Sequence, residues 1–147
     1  PFVRLAETET LAYTDKNLLS HIACYYVVAV NSLGIESPKS NILCVDNCPT
    51  FDLPNLFSPN GDTKNDVFQA MICPRFVKHL SAKIVDRYGA LVYEYSGNLE
   101  GFGWNGRSTS GQTMSAGTYF YTVDVEFDVK DTTKEKKQLK GWLELVK

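Results

Sequence analysis

No apolar run in this sequence approaches the roughly 18 residues that a helix needs to span a bilayer, and no segment carries a convincing helical period. Histidine is scarce: only His21 and His79 are present. A Gly-x-Ser-x-Gly elbow, a His-Glu-x-x-His pair and a phosphate loop are all missing. Catalysis needs positioned acid–base or nucleophilic groups, whereas the carboxylates here are spread along strand faces and turns. The chain therefore reads as non-enzymatic, with no cofactor and no small-molecule substrate. Charge of either sign is not in excess: 15 basic and 17 acidic side chains leave a net charge of −2. That balance gives no electrostatic reason to expect nucleic acid or an anionic membrane as partner. The sequence opens Pro-Phe-Val-Arg, without an initiator Met or the basic, apolar and small-residue pattern of a signal peptide. It reads as a cut inside a longer polypeptide.

What is present favours strands. At 44% hydrophobic the chain can build a core, and its aromatics are mostly Tyr and Phe, which suit pleated surfaces. A length of 147 residues fits one full domain plus part of another. Residues 11–45 read as the end of a β unit. Cys24-Tyr-Tyr-Val-Val-Ala-Val30 is an apolar strand, Asn31-Ser-Leu-Gly-Ile-Glu-Ser37 a polar turn, and Asn41-Ile-Leu-Cys-Val45 the returning strand. The polar, Pro-containing stretch Asp46-Asn-Cys-Pro-Thr50 marks a short, stiff boundary, which divides the chain into residues 1–47 and 48–147.

Four cysteines, Cys24, Cys44, Cys48 and Cys73, allow two disulfides or one zinc site. Cys44 and Cys48 are spaced like zinc ligands, but Cys24 and Cys73 stand alone. Cys24 and Cys44 lie equally far from the hairpin midpoint near Gly34, so symmetric register opposes them within disulfide reach. Cys48–Cys73 then follows by elimination. Oxidised cysteines imply a periplasmic or extracellular life.

In the second unit, Leu80, Ala82 and Ile84 alternate with Ser81, Lys83 and Val85, the period of a half-buried strand. Asp86-Arg-Tyr-Gly89 is a tight turn and Leu91-Val-Tyr-Glu-Tyr95 the returning strand. Loops fill residues 96–117 around a single anchor, Trp104. The strongest strand covers residues 118–129. Tyr119, Tyr121, Val123, Val125, Phe127 and Val129 share its apolar face; Thr118, Thr122, Asp124, Glu126 and Asp128 dominate the other. A charged hairpin tip spans residues 130–137, with Lys134, Lys136, Lys137 and Lys140 keeping it soluble and discouraging edge pairing. Residues 139–146 form the final strand. Short strands separated by turn clusters over about 100 residues predict an all-β, Ig-like antiparallel sandwich.

Three pieces carry a family resemblance: Leu53-Pro-Asn-Leu-Phe-Ser-Pro-Asn-Gly-Asp-Thr-Lys-Asn-Asp-Val-Phe68, Ile84-Val-Asp-Arg-Tyr-Gly-Ala-Leu-Val-Tyr93, and Trp104-Asn-Gly106 with Ala116-Gly-Thr-Tyr-Phe-Tyr121. Together, over residues 48–147, they resemble the gliding motility-associated C-terminal domain, the type B sorting domain of the type IX secretion system of Bacteroidota. The upstream Tyr25-Tyr-Val-Val-Ala-Val30 and Glu36-Ser-Pro38 are similar to the last strands of a fibronectin type III domain. The resemblance implies a sorting signal that takes a large surface protein, often an adhesin, through the periplasm and across the outer membrane to the cell surface or medium. It implies as partners the type IX translocon and a PorP/SprF-related outer-membrane barrel protein. The sequence departs from the family pattern at Thr63, where the family has a second glycine, so that a positive φ is not expected there. It departs also at Tyr88, in place of Trp, and at Asn105, in place of Asp, which weakens any cation-binding role for that position.

Candidate recognition residues follow. In the first loop, Asn60, Gly61, Asp62, Asn65 and Asp66 are either an Asx-stabilised turn, a surface read by the secretion machinery, or, through Asp62 and Asp66, oxygen ligands for Ca²⁺; their spacing does not match an EF-hand. Arg87, Tyr88 and Gly89 form either a recognition tip or a plain β-turn. Trp104 is a packing anchor or a ligand platform. In the final strand, Gly141, Trp142, Leu143, Leu145 and Val146 report complete folding, meet the translocon through an exposed edge, or are simply the last strand of the fold. The competing function is an adhesion module that binds glycan or protein ligands through Tyr88, Trp104 and the glycine loops.

Overall fold

The computed structural model describes residues 2–16, 18, 20–71 and 73–147. Near the start, β1 (Ala23–Tyr25) and β2 (Leu43–Val45) pair antiparallel with Cys24 directly opposite Cys44. The two cysteines form a disulfide across a Cα separation of 4.0 Å, as hairpin symmetry predicts. Beyond Tyr25 the hairpin continues without a regular ladder. Ser40 and Ser37 hydroxyls accept from Val27 and Ala29 N–H at 3.0 and 2.9 Å, taking the place of ladder carbonyls, while Ser37 and Ser40 N–H donate to the Ala29 and Val27 carbonyls. Of the predicted strand of residues 24–30, only Cys24 and Tyr25 are therefore in regular strand, within β1.

The second sheet holds β3 (Leu56–Phe57), β4 (Val77–Val85), β5 (Leu91–Gly97), β6 (Gly117–Phe127) and β7 (Lys136–Leu145) in the order β3-β7-β6-β4-β5. Among the described residues the only helical element is a 3-10 turn at Leu99–Gly101. The period-two pattern of β6 becomes burial: Tyr119, Val123, Val125 and Phe127 are buried, while Phe120 and Asp124 face solvent. β7 begins three residues earlier than predicted, taking Lys136 and Lys137 out of the hairpin tip.

Two features differ from an antiparallel sandwich. β3 pairs parallel to β7, which is possible because the whole intervening domain, not a tight turn, connects them. The layer facing the sheet is not a regular sheet. It consists of extended segments joined by isolated bridges, Thr50 with Arg75 and Phe68 with Trp104, in a region dense in Pro, Gly and Asx residues that break strands. Between the layers, Phe51, Phe57, Phe68, Phe102 and Trp104 pack on Leu80, Ile84, Tyr119, Val123, Leu143 and Leu145, all nearly inaccessible to solvent.

The boundary segment ties the β1–β2 unit to the sandwich. Asn47, 4% exposed, donates to the Asp128 carbonyl at 2.6 Å and accepts from His21 N–H at 2.7 Å. Asp46 accepts three backbone N–H groups, from Lys130, Asp131 and Asn47, each at 2.8 Å. The Lys130 N–H bond is the main cause that lowers the Asp46 carboxyl below its ordinary value; bonds from Asp131 and Asn47 and the charge of Lys134 add to it, against partial desolvation.

Leu143, fully buried in β7, should cost about 2–5 kcal/mol when truncated to Ala, read as a drop in urea midpoint at unchanged m-value. Because the folded Asp46 carboxyl is depressed, its contribution to the junction is complete above the ordinary value of about 3.9 and is lost as pH falls through the lower folded value. Protection of the Lys130 and Asp131 amides from hydrogen exchange should fall in that acid window, and Asp46→Asn should reproduce the loss at neutral pH.

Candidate recognition surface

The three motif-bearing loops converge at one end of the sandwich. A Cβ placed on Gly106, whose φ is 75°, would meet Leu145 Cδ1 and Pro59 Cγ, each at 3.1 Å. This glycine is thus the point where the Trp104–Gly106 loop, the loop of residues 58–66 and the end of β7 close together. Gly117 pairs with Leu145, and the Arg87 guanidinium lies over Gly117, 2.9 Å from where a Cβ would sit. The β4–β5 turn therefore joins the same end.

The first loop is built by its own side chains. Ser58 N–H bonds the Asn65 carbonyl at 2.8 Å and closes it. Asp66 accepts from Gly61 N–H at 2.7 Å and from Thr63 N–H at 2.8 Å. Asp62 accepts from Lys64 N–H at 2.8 Å and from the Asn60 amide at 3.1 Å, while Asn60 Oδ1 takes the Asp62 N–H at 3.0 Å. The Asp62 and Asp66 oxygens thus serve Asx turns. Among the described residues no three of His, Cys, Asp or Glu gather as metal ligands would. Contrary to expectation, Thr63 does take a positive φ, 69°, and Asn65 follows at 54°. The turn geometry is imposed by the Asp66 bonds, and Thr63 adopts it without glycine's freedom.

In the β4–β5 turn, Asp86 Oδ1 accepts from Tyr88 and Ala90 N–H at 2.8 and 2.9 Å, and Gly89 supplies φ 84°. Tyr88 projects into solvent, 87% exposed.

Several candidates prove to be core. Trp104 is buried; its Nε1–H donates to the Arg107 carbonyl at 2.7 Å, and its ring lies 5.1 Å from Tyr119 and 5.2 Å from Phe57. Leu143 and Leu145 are equally buried. None of the three offers surface to a partner: Trp104 is packed between Phe57 and Tyr119, and strand alternation turns Leu143 and Leu145 inward while Trp142 turns outward. The expected Cys48–Cys73 bridge is also absent: both thiols are free and exposed. Extending the Thr50–Arg75 pairing sets Cys48 across from Val77 and Cys73 across from Asp52, about 13 Å apart along an ideal strand and beyond disulfide reach. The chain also leaves that ladder at Cys73, where φ is 59°.

Beyond the loops, the outward face of the sheet carries Phe120 and Leu91, each about half exposed. Sequence reading passed over both. The signal was available, since Phe120 interrupts an otherwise polar face.

The family model of the CHU_C type IX secretion signal domain matches residues 51–145. No curated protein matches the chain. Among solved structures the chain resembles PorZ, an essential surface component of the type IX secretion system of Porphyromonas gingivalis, at 21% identity and a TM-score of 0.39, over 66% of this chain and 11% of that one. A likeness that distant carries no argument about role.

Left-handed backbone costs an L-residue about 1–2 kcal/mol, partly offset by the extra chain entropy glycine brings. Thr63→Gly should therefore stabilise the chain by about 0.5–1 kcal/mol, measured as a higher urea midpoint.

Proposed function

Since this chain belongs to the CHU_C type IX secretion signal domain family, we infer that its sandwich is the address by which a larger protein is exported to the cell surface or the medium by type IX machinery. The observation that carries this reading is the match itself, which runs over 51–145 and so takes in every strand of the five-stranded sheet. The geometry supports it. The motif loops meet at one rigid end, held by short hydrogen bonds from Asp66 and Asp86, and that end presents Tyr88 and Arg87 rather than a cleft with converging ionisable groups. Recognition by another protein needs such a preorganised surface. Residues 48–147 are the sorting unit in this reading, and residues 1–47 are the close of a fibronectin-like unit whose apolar hairpin residues, among them Val27 and Leu43, remain exposed. The cargo is an adhesin, and the receiving partner is a PorP/SprF-related outer-membrane barrel.

The full chain, fused behind an unrelated reporter that reaches the periplasm, should appear at the surface or in the medium of a type IX-competent cell and stay periplasmic in a translocon-deficient strain. Periplasmic retention in both strains would sink the reading. Binding of glycans by a chain that exports nothing would favour the adhesion-module alternative.

A further inference from the structure

The outward face of the five-stranded sheet is mostly polar, apart from one row and Leu56 of β3, which lies beside Glu144 and is 52% exposed. Register sets Trp142 of β7 beside Phe120 of β6, Phe120 beside Val85 of β4, and Val85 beside Leu91 of β5. Trp142, Phe120 and Leu91 remain 52%, 47% and 48% exposed. The register shift at Ile84/Val85 is what aims Leu91 outward, since Val92 and Tyr93 both pack toward the core. With strands about 4.8 Å apart, the row runs about 14 Å across the sheet. A cross-strand aromatic pair can stabilise a sheet by itself, but that does not require apolar residues on four successive strands. A continuous exposed apolar stripe marks an interaction surface.

The charges bordering the row indicate what covers it. On one side, Lys140 and Thr122 are register partners; on the other, Glu144 and Thr118 are. Lys140 makes no ion pair among the described residues, and Glu144 is held outward by the Thr118 hydroxyl at 2.8 Å. An anionic bilayer or a nucleic acid would favour a border of one sign. At Trp142 this border is of opposite signs, Lys140 on one side and Glu144, flanked by Leu56, on the other; Lys83, farther along the Lys140 side, is neutralised by Glu94 at 3.1 Å.

We propose that the row is the docking face for a second copy of this chain, packed sheet on sheet about a twofold axis that runs along the row. Such an axis reverses strand direction. It lays Trp142 on Trp142 and Phe120 on Phe120, and it sets Lys140 of each copy against Glu144 of the other, so that the contact is self-complementary as a twofold interface must be. Sheets stacked in this way sit about 10 Å apart and rotated by about 30°, an offset that the Lys and Glu side chains span. A patch of this size lies at the small end of specific interfaces, so the dimer is reversible and concentration-dependent. The inference does not depend on the sorting role.

Sedimentation velocity of the full chain over a concentration series tests this, with the Cys48 and Cys73 thiols blocked so that disulfide-linked copies do not count. The wild-type chain should pass from monomer to dimer. Lys140→Glu and Glu144→Lys should each weaken dimerisation by about tenfold, equivalent to about 1.4 kcal/mol. The double variant Lys140→Glu/Glu144→Lys should restore it, and an equimolar mixture of the two single variants should associate more tightly than either alone. Phe120→Thr/Trp142→Thr should stay monomeric with an unchanged far-ultraviolet spectrum; if that variant fails to fold, the charge-swap series alone decides. A wild-type chain that remains monomeric throughout, or a dimer indifferent to the charge swap, overturns the proposal. A wild-type chain that stays monomeric while Phe120→Thr/Trp142→Thr loses export would overturn it in favour of the row serving the secretion machinery.

Discussion

Trp104 is the contact through which the irregular layer of the sandwich is fastened to its regular sheet. Its backbone exchanges two hydrogen bonds with Phe68, at 2.8 and 3.0 Å, and its indole packs on Tyr119 of β6 and Phe57 of β3. Without a second hydrogen-bonded sheet, the facing layer has few ladder bonds to hold it in place. Side-chain burial has to hold it instead, and aromatic rings remove more apolar surface from water per residue than any other side chains. The indole N–H is satisfied by the Arg107 carbonyl, so the anchor buries a polar atom without leaving it unpaired.

Placement of the loops follows from this anchor. With Trp104 fixed, Gly106 comes to lie against Leu145 and Pro59, and the loop of residues 58–66 is brought to the end of β7. The Asx bonds of Asp66 and Asp62 then shape that loop locally. The surface end of the domain is thus rigid from two sources that act at different ranges: aromatic packing from below and carboxylate-to-amide bonds within each turn.

Where local pattern dictates structure, the sequence was readable. Alternation exposed the inward face of β6, and hairpin symmetry paired Cys24 with Cys44. Where long-range register decides, it was not. Elimination pairs Cys48 with Cys73, but the Thr50–Arg75 bridge displaces them along the ladder. Two residues of β3 cannot announce that they will pair parallel with β7. Thr63 shows a third kind of limit: residue identity argues against a left-handed backbone there, yet the bonds converging on Asp66 impose it. The final strand was legible as a strand, but treating it as one recognition element merged inward Leu143 and Leu145 with outward Trp142. Phe120 was hidden by the polar majority on its face.

The junction at Asp46 and Asn47 has a mechanical corollary. Upstream chain does not hang from the sandwich as a loose tether, because its connection is fastened to the β6–β7 turn by short contacts lying side by side. Tension applied from ahead of the junction would load those contacts together before any slack could be drawn out. The point and direction at which the chain leaves the sandwich are accordingly set by a carboxylate and an amide.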